Sequence, residues 1–376
     1  MSEWIHTTLG KFIGLQRGHD LPSGQRVSGT VPVVGSGGVT GWHNEPKVSG
    51  PGITIGRAAN LGMPTLVEQD FWPLNTTLYV TDFRDNNVRF TYYLFRILDL
   101  AGFNSGSVQP MLNRNYISSF PIQIPKRSEQ DAIATVLGAL DDKIAVNERI
   151  ASTALELCLA IYAGEASSAE WESTSLGETA RWYSGGTPNT GVPEYWGGEI
   201  PWISASSLKS PWIRDSDRRV TELGSRSGTR IVSPDTILFV VRGMSLTTEF
   251  RVGITRREVA FGQDCKALVA NSGNDPKTLF LAIKFREREI LNMVDLAGHG
   301  TGRLVTDRLA SLPVQLPKSA DSARDFSKLV NPLIDRACAT GLENQALAAL
   351  RDTLLPQLMS GRLRVRDAEK IVEDAT

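Results

Sequence analysis

Two patterns of apolar residues alternate along the chain. In residues 1–125 and 170–317, short β-branched runs stand between glycines, prolines and other turn-forming residues, which is typical of short strands. Between and after these regions, apolar residues recur at steps of three and four, the spacing of one helix face. The predicted strands are Val31–Val34, Gly52–Ile55, Thr77–Val80, Ile200–Ile203, Thr236–Val241 and Ala267–Ala270, and the predicted shorter helices are Phe90–Leu100 and Pro276–Val294. The predicted fold class is α/β (α+β), with two mixed domains and two long helices.

The first long helix is predicted to begin at Ser128, which together with Asp131 resembles a capping box. From Ser128 to Tyr162 such a helix is about 50 Å long, at 1.5 Å per residue. Asn147 lies within its apolar stripe and is expected to fix the register of a paired helix at some cost in stability. The stripe consists of Ile133, Leu137, Leu140, Ile144, Asn147, Ala151, Ala154, Cys158 and Ile161.

The second long helix carries a similar stripe but contains a proline. Pro332 predicts a kink or a restart, with Asn331 as the new N-cap, and Gly361 predicts the C-terminal end. The regular stepping favours an antiparallel coiled-coil pair over two ordinary core helices, although the pattern leaves that alternative open. The stripe consists of Phe326, Val330, Leu333, Leu347, Leu350, Leu354 and Leu358.

An internal repeat precedes both long helices. The segment Ser119–Lys126 recurs as Ser311–Lys318, 192 residues later, with five of its eight positions identical and the other three exchanging one apolar residue for another. Other matches keep the same order: Trp4 and Leu9-Gly10 with Trp171 and Leu176-Gly177, Phe71 and Leu78 with Phe261 and Leu268, and Gly52–Arg57 with Thr236–Arg242. Similarity in a fixed order indicates a duplicated structure, with insertions in the second copy.

Composition restricts the class of protein. The 376 residues include 41% apolar and 22% charged residues, which is ordinary for a soluble protein of two domains. The start of the chain lacks the features of a signal segment, and no apolar run approaches the length of a membrane span, so a cytoplasmic location is expected. The net charge of −1 argues against a protein that grips nucleic acid unaided.

Candidate catalytic and metal-binding chemistry is sparse. The glycine-rich segment Gly35–Gly41 is not followed by a helix start, so a dinucleotide loop is not predicted. Asp235, Asp264 and Lys266 fit the permissive acid–acid–lysine pattern of Mg²⁺-dependent nucleases, but the apparent counterpart of the second acid, Leu74–Thr76, holds neither an acid nor a lysine. No metal-ligand spacing is found among His6, His19, His43, His299, Cys158, Cys265 and Cys338.

Several basic residues are candidates for DNA binding. Arg57 and Arg242 each end an apolar run, and arginine is the side chain that most often reads guanine in the major groove. For each of these cations, a surface ion pair is the alternative interpretation. Five further cations flank loops, where they could contact phosphates: Lys47, Arg114, Lys209, Arg230 and Arg303.

Together these motifs resemble the specificity subunit of type I restriction–modification systems. The resemblance rests on the Trp-x₄-Leu-Gly opening of each half, on residues 31–57, on the twice-used Pro-Ile/Val-Gln-Ile/Leu-Pro, and on Glu343-Asn344 through Leu350 to Gly361. Residues 142–148 resemble the corresponding region of the first helix. The segments then expected are target recognition domain 1 (1–125), spacer helix 1 (126–165), target recognition domain 2 (166–317), spacer helix 2 (318–362) and a charged tail (363–376).

The resemblance implies a DNA-sequence-reading and scaffolding subunit without catalysis of its own. Each half would read one part of a bipartite target in double-stranded DNA, and the helices would hold the halves apart and dock two methyltransferase subunits. S-adenosylmethionine, ATP and Mg²⁺ would belong to methyltransferase and restriction/translocase partners. Alternatives are a methylation-only or other phage-defence system, the nuclease described above, and a tandem ligand-binding protein. The residues expected in spacing and docking are Leu137, Leu140, Ile144, Asn147, Glu343, Asn344, Leu347, Leu350 and Leu354.

Overall fold

The computed structural model describes residues 4–100, 102, 111–296 and 300–375, with no side chain described for residue 375. The chain divides into two compact units. Unit 1 comprises Met1–Val146 and Glu343–Thr376, and unit 2 comprises Asn147–Leu342. None of the helices in the described ranges is long and apolar enough to cross a membrane.

The first 126 residues, all in unit 1, contain nine strands and three short helices among the described residues. The strands are β1 (Ile5–Thr8), β2 (Gly14–Arg17), β3 (Val31–Gly35), β4 (Gly38–His43), β5 (Gly52–Gly56), β6 (Pro64–Val67), β7 (Trp72–Pro73), β8 (Thr77–Asp82) and β9 (Pro121–Ile124). The helices are α1 (Leu9–Phe12), α2 (Val88–Ile97) and α3 (Arg114–Ile117), with a 3₁₀ turn at Ser23–Gln25. The strands predicted near residues 31, 52 and 77 are confirmed.

These strands form three small sheets, with orders β1-β9, β2-β8-β5-β6 and β4-β3-β7. The glycine-rich segment predicted not to be a cofactor loop is the turn of the antiparallel β3–β4 hairpin, in which Gly35 pairs with Gly38. The apolar faces of β5 and β8 and of α2 meet in a core that includes Ile53, Leu78 and Phe90. The first copy of the proline repeat is β9, which pairs antiparallel with β1.

The chain continues with α4 (Arg127–Glu165), a helix of 39 residues. The described part of unit 2 contains fourteen further strands: β10 (Trp171–Ser175), β11 (Ala180–Ser184), β12 (Trp196–Ile203), β13 (Trp212–Ile213), β14 (Arg219–Val220), β15 (Arg230–Val232), β16 (Ile237–Val240), β17 (Arg242–Gly243), β18 (Val252–Thr255), β19 (Val259–Phe261), β20 (Cys265–Ala270), β21 (Val294–Leu296), β22 (Gly302–Leu304) and β23 (Pro313–Pro317). The short helices are α5 (Leu176–Thr179), α6 (Glu222–Arg226), α7 (Pro276–Phe285), α8 (Glu287–Asn292) and α9 (Thr306–Ala310), with 3₁₀ turns at Pro193–Tyr195 and Met244–Thr247.

Unit 2 repeats the sheets of unit 1 and adds strands to them. The orders are β10-β23, β11-β20-β16-β18-β13, β14-β12-β19-β15 and β17-β22-β21. The second proline repeat is β23, paired with β10 as β9 is paired with β1. The single helix predicted for Pro276–Val294 is wrong: α7 ends at Phe285, α8 follows, and Val294 begins β21.

Backbone hydrogen bonds establish which residues of the two units correspond. In unit 1 the His19 amide donates to the Pro73 carbonyl at 2.8 Å, and in unit 2 the Gly186 amide donates to the Phe261 carbonyl at 3.0 Å. Pro73 therefore corresponds to Phe261, and the match predicted between Phe71 and Phe261 is wrong by two residues. The duplication itself is confirmed, because the same strands pair in the same directions in both units.

The two long helices are α4 and α10 (Ala320–Met359). Within unit 1, the Asn344 side chain donates to the Ile144 carbonyl at 3.3 Å, and Arg351 is paired with Asp141. Along these contacts the residue numbers fall on one helix as they rise on the other, so the predicted antiparallel pairing is confirmed in unit 1.

The same direction holds within unit 2. There the Cys158 thiol donates to the Val330 carbonyl at 3.8 Å, and the rings of Tyr162 and Phe326 lie 6.3 Å apart. The predicted stripe is the buried face of the two helices, because Leu137, Leu140, Asn147, Cys158, Phe326, Val330, Leu347 and Leu354 are all buried.

The second long helix differs from the sequence prediction at Pro332 and agrees with it at Gly361. The helix does not restart at Pro332. The proline ring is exposed to solvent, and the helix continues beyond it. Gly361 ends the helix as predicted: its φ is 69°, and the Arg362 amide donates back to the Gln357 carbonyl at 3.0 Å. The charged segment beyond forms α11 (Val365–Ala375), which buries Ala368 in the core of unit 1.

Candidate nucleic-acid interface

A basic cleft of about 540 Å³ lies in unit 1, at the ends of β2 and β5 and the first turn of α3. Its cations are Arg17, Arg57 and Arg114, of which Arg57 and Arg114 are predicted DNA-binding residues. The strands position the first two, since Arg17 ends β2 and Arg57 follows β5 directly. The complete lining consists of Gln16, Arg17, Gly18, His19, Asp20, Arg57, Leu78, Asn113 and Arg114.

Arg17 and Arg57 raise the positive potential of this cleft. Neither forms an ion pair with any described residue, and Arg57 Nη1 donates only a long hydrogen bond, 3.4 Å, to the Asn75 carbonyl. Burial and, secondarily, the charge of Arg17 hold the pKa of Arg57 below its usual value. Two cations without acidic partners suit an anionic or acceptor-rich ligand.

The other polar side chains of the cleft are held by local contacts. His19 Nε2 lies 3.5 Å from the Tyr79 hydroxyl, and the Asp20 carboxylate accepts a hydrogen bond from the Asn75 amide. Burial raises the pKa of Tyr79. Sequence reasoning missed Arg17 and His19; the available signal was the short strand pattern that leads into Arg17, which pairs with the strand predicted at Thr77–Val80.

Arg57 and Arg242 do not occupy equivalent positions, contrary to the sequence prediction. The Arg57 amide donates to the Thr76 carbonyl at 2.9 Å, whereas in unit 2 the corresponding bond runs from Val241 to the Asp264 carbonyl at 2.8 Å. Val241 is therefore the counterpart of Arg57. Thr76 is the counterpart of Asp264, so the alignment of the acidic segment with Leu74–Thr76 is also shifted by two residues.

Arg242 lies instead opposite Arg303 in an antiparallel ladder. The two residues are direct partners of β17 and β22, and both side chains are exposed. Like charges directly opposite one another destabilise a sheet, and neither arginine has an ion-pair partner among the described residues. The pair forms a second basic site, made of two predicted residues.

A third group of cations lies on β20 and β15 in unit 2, in contact with side chains of β11. Lys266 Nζ donates to Ser184 Oγ at 2.6 Å, and the Arg230 guanidinium lies 4.8 Å from the centre of the Tyr183 ring. Arg230 also lines a cleft of about 840 Å³ together with Arg226 and several acids, so its surroundings are less positive than those of Arg57. The acids of that cleft are Glu199, Glu222 and Glu258.

The remaining predicted cations are exposed and lie outside these groups. The Lys47 ammonium is 5.6 Å from the centre of the Trp72 ring. Lys209 lies just after the turn at residues 205–207, and within the described ranges its side chain has no ion pair. Arg218 was not predicted, yet its exposed guanidinium contacts two aromatic rings, 3.8 Å from the centre of the Trp196 ring and 4.9 Å from that of the Trp202 ring.

The nuclease alternative lacks its geometry. Asp235 precedes β16 and is paired with Arg256 at 2.9 Å, whereas Asp264 lies beyond the other end of that strand, beside Val241. Six residues of strand correspond to about 20 Å, too far for two ligands of one metal ion. Within the described ranges no group of three His, Cys, Asp or Glu residues is placed to hold a metal ion, and His299 lies outside those ranges.

The residues expected in spacing and docking fall into two groups. Leu137, Leu140, Asn147, Leu347 and Leu354 are buried and therefore hold the helices together instead of facing a partner. The others are partly exposed: Ile144, Glu343, Asn344 and Leu350, with Glu343 paired to Lys143 at 3.1 Å. Exposed apolar side chains on the same helices, which the heptad pattern did not select, are Val146, Leu157, Leu329 and Leu342.

The chain thus repeats one frame of strands in two units, each with a basic surface. A comparison with known protein families agrees with this organisation. The model of the type I restriction modification DNA specificity domain matches residues 1–155 and 168–336. These segments cover most of the chain, once in each half. The chain therefore belongs to the family of type I restriction modification DNA specificity domains, as its sequence motifs indicated.

Individual relatives agree with this membership. The specificity subunit of the type I restriction enzyme EcoR124I/EcoR124II of Escherichia coli is 27% identical over 157 residues, which is 41% of this chain and 38% of the relative. The specificity subunit of MjaIX from Methanocaldococcus jannaschii is 25% identical over 305 residues, covering 74% of this chain and 69% of the relative. The match thus spans well under half of the E. coli relative.

A solved structure shares the fold along almost the whole chain. The type I restriction–modification system S subunit from M. genitalium superposes with a TM-score of 0.56 and 19% identity, covering 95% of this chain and 96% of that one. The two-unit mixed α/β fold is therefore one already seen in an S subunit.

Proposed function

We propose that this protein is the DNA-reading and scaffolding subunit of a type I restriction–modification complex. One observation carries the proposal: the two units share a backbone frame, with β2-β8-β5 repeated as β11-β20-β16, but expose different side chains on it, such as Arg57 where unit 2 has Val241. A repeated frame with different exposed chemistry suits a bipartite DNA target, in which each unit reads a different half-site.

The catalytic steps are assigned to partners. Two methyltransferase subunits would supply S-adenosylmethionine chemistry, and restriction/translocase subunits would supply ATP- and Mg²⁺-dependent cleavage. The net charge of −1 supports this division, because partners can provide phosphate contacts that the chain does not provide alone. The exposed apolar residues Val146, Leu157, Leu329 and Leu342 are the proposed contacts for those subunits, because large exposed apolar side chains mark protein interfaces.

Methylated sites measured across a genome test the proposal. With the chain and its methyltransferase partner present, we expect one gapped motif, which disappears when the chain is absent. Ungapped or unchanged methylation would contradict the proposal. A gapped motif without DNA cleavage would instead identify a methylation-only defence system, the alternative within the same family.

We also propose that α4 and α10 act as the spacer between half-sites. Each helix begins in one unit and ends in the other. Seven residues inserted after Asn147, with seven more after Leu342, lengthen each helix by about 10 Å while preserving the apolar stripe. The gap in the motif should grow by about three base pairs, at 3.4 Å each, with both half-sites unchanged.

The control is a seven-residue insertion after Gly273, in an exposed turn of unit 2. This insertion should leave the gap unaltered. An unaltered gap in the double helix insertion, with methylation retained, would contradict the spacer role.

A further inference from the structure

One cross-strand pair holds a cation in both units, but on opposite strands. In unit 1, Arg17 of β2 pairs with Leu78 of β8. In unit 2, Ser184 of β11 pairs with Lys266 of β20. Because these strands correspond, Arg17 occupies the place of Ser184, and Leu78 that of Lys266. Direct partners in an antiparallel ladder project to the same face, so both units place a positive charge at one shared position.

In unit 1 this position faces the basic cleft. Arg17 and Leu78 both line it, together with Arg57. Arg17 is exposed and has no ion pair with a described residue. The two guanidinium groups repel each other in the free protein, and a ligand that places hydrogen-bond acceptors between them offsets this repulsion.

The lining of the cleft favours a base edge over a phosphate. A phosphate offers only acceptors and is repelled by a carboxylate, yet Asp20 lines the cleft beside the two arginines. Gln16 and Asn113 add amides that both donate and accept hydrogen bonds. Base edges in the major groove present both donors and acceptors, and arginine pairs with guanine through two bonds.

Unit 2 has different chemistry at the same position. Lys266 is a point charge on a flexible stem, held by Ser184 Oγ at 2.6 Å, and is not a planar fork. Tyr183, with Arg230 at 4.8 Å from its ring centre, takes the place of Gln16 beside it. The same backbone position therefore offers a different pattern of donors.

We propose that this cross-strand pair is a base-reading position in both units, with Arg17 reading a guanine in one half-site and Lys266 reading an acceptor-bearing base edge in the other. The inference rests on the proposed function and deepens it by assigning two specificity-determining residues. Neither was among the residues that the sequence selected for DNA binding.

The experiment measures methylation motifs for the chain in complex with its methyltransferase partner, on random-sequence DNA. Arg17→Ala should relax one base position of one half-site, with discrimination there falling on the order of 10- to 100-fold, while the other half-site is unchanged. Lys266→Ala should relax the other half-site alone. Lys11→Ala and Arg181→Ala remove exposed cations of units 1 and 2 outside this position, and both should leave the motif intact.

Arg17→Lys keeps the positive charge of this exposed position but replaces the planar fork by the point charge that unit 2 carries. We expect it to retain methylation and to change the preferred base at the position that Arg17→Ala relaxes. This variant decides the matter if Arg17→Ala loses all methylation: a changed base supports the inference, and an unchanged motif or no methylation overturns it.

Three results overturn the inference while leaving the proposed function in place. They are an unchanged gapped motif in both alanine variants, a partial loss that is uniform across all sites without a change of base preference, and an effect of either variant on both half-sites. A wild-type complex that yields no gapped motif overturns the proposed function, and the inference with it.

Discussion

Asp141 links α4 to two other helices of unit 1, and its removal gives a quantitative test of their pairing. Its carboxylate accepts a hydrogen bond from the Tyr93 hydroxyl of α2 at 2.6 Å and another from Arg351 of α10 at 2.6 Å. The Asp141 and Arg351 side chains are only 28% and 16% exposed. Burial, followed by the Asp141 carboxylate, raises the pKa of Tyr93, so the phenol stays protonated and donates.

Asp141→Asn preserves the shape of the side chain but removes its charge. The amide can still accept one hydrogen bond, so one of two charge-assisted bonds is lost, each contributing about 1.5–3 kcal/mol. We therefore expect the free energy of unfolding of unit 1 to fall by about 2 kcal/mol. The neighbouring Asp142→Asn is the matched control: Asp142 is 60% exposed in its pair with Arg89, so its loss should cost about 0.5 kcal/mol.

Hydrogen exchange followed by mass spectrometry measures this difference locally. Peptides from residues 127–146 and 343–359 should lose protection in Asp141→Asn and keep it in Asp142→Asn. A double-mutant cycle with Arg351→Met should return a coupling of about 1–3 kcal/mol. Equal destabilisation by the two asparagine variants, to within 0.5 kcal/mol, would refute the pairing of these helices through Asp141.

Three further predictions concern packing, a helix end and pH. Phe326→Ala should lower the free energy of unfolding of unit 2 by about 3–5 kcal/mol in urea, because Phe326 is 2% exposed and its ring centre lies 5.1 Å from that of Trp171. Leu329→Ala, at a side chain that is 51% exposed, should cost less than about 0.5 kcal/mol, and similar costs for the two variants would contradict the packing. Gly361→Val should lower the melting temperature of unit 1, because Gly361 has a φ of 69° and a new Cβ would lie 2.6 Å from the Trp4 ring nitrogen. An unchanged melting temperature would contradict this backbone conformation at the end of α10. Burial raises the pKa of Cys265 from 9.0 to about 12, so the thiol stays neutral in the folded protein at pH values where it ionises in the unfolded chain. Between pH 9 and 12 the free energy of unfolding should therefore fall by about 1.4 kcal/mol per pH unit more than it does in Cys265→Ala. Equal slopes in the two proteins would contradict the burial of the thiol.

Local patterns were sufficient for the two long helices, for several of the strands and for the class of protein. The stepping of apolar residues from Ile133 to Ile161 predicted the buried face of α4, because a helix of fixed pitch turns sequence spacing directly into a face. The repeated Ser119–Lys126 segment predicted the duplication, because similar sequences adopt similar strands. Pro332 was the local signal that misled: an exposed proline removes one backbone donor without ending a helix that is stabilised by packing.

The candidate site depended on strand pairing, which local patterns do not fix. Arg17 meets Leu78, and Ser184 meets Lys266, because distant strands pair in a particular register. A shift by one residue moves a side chain to the other face of a sheet, so Arg242 could not be placed relative to Arg57 by comparing apolar runs alone. The sequence by itself determined the duplication, the two long helices and the family. Only the tertiary structure decided which cations share a position in the two units, because that depends on registers between residues far apart in the chain.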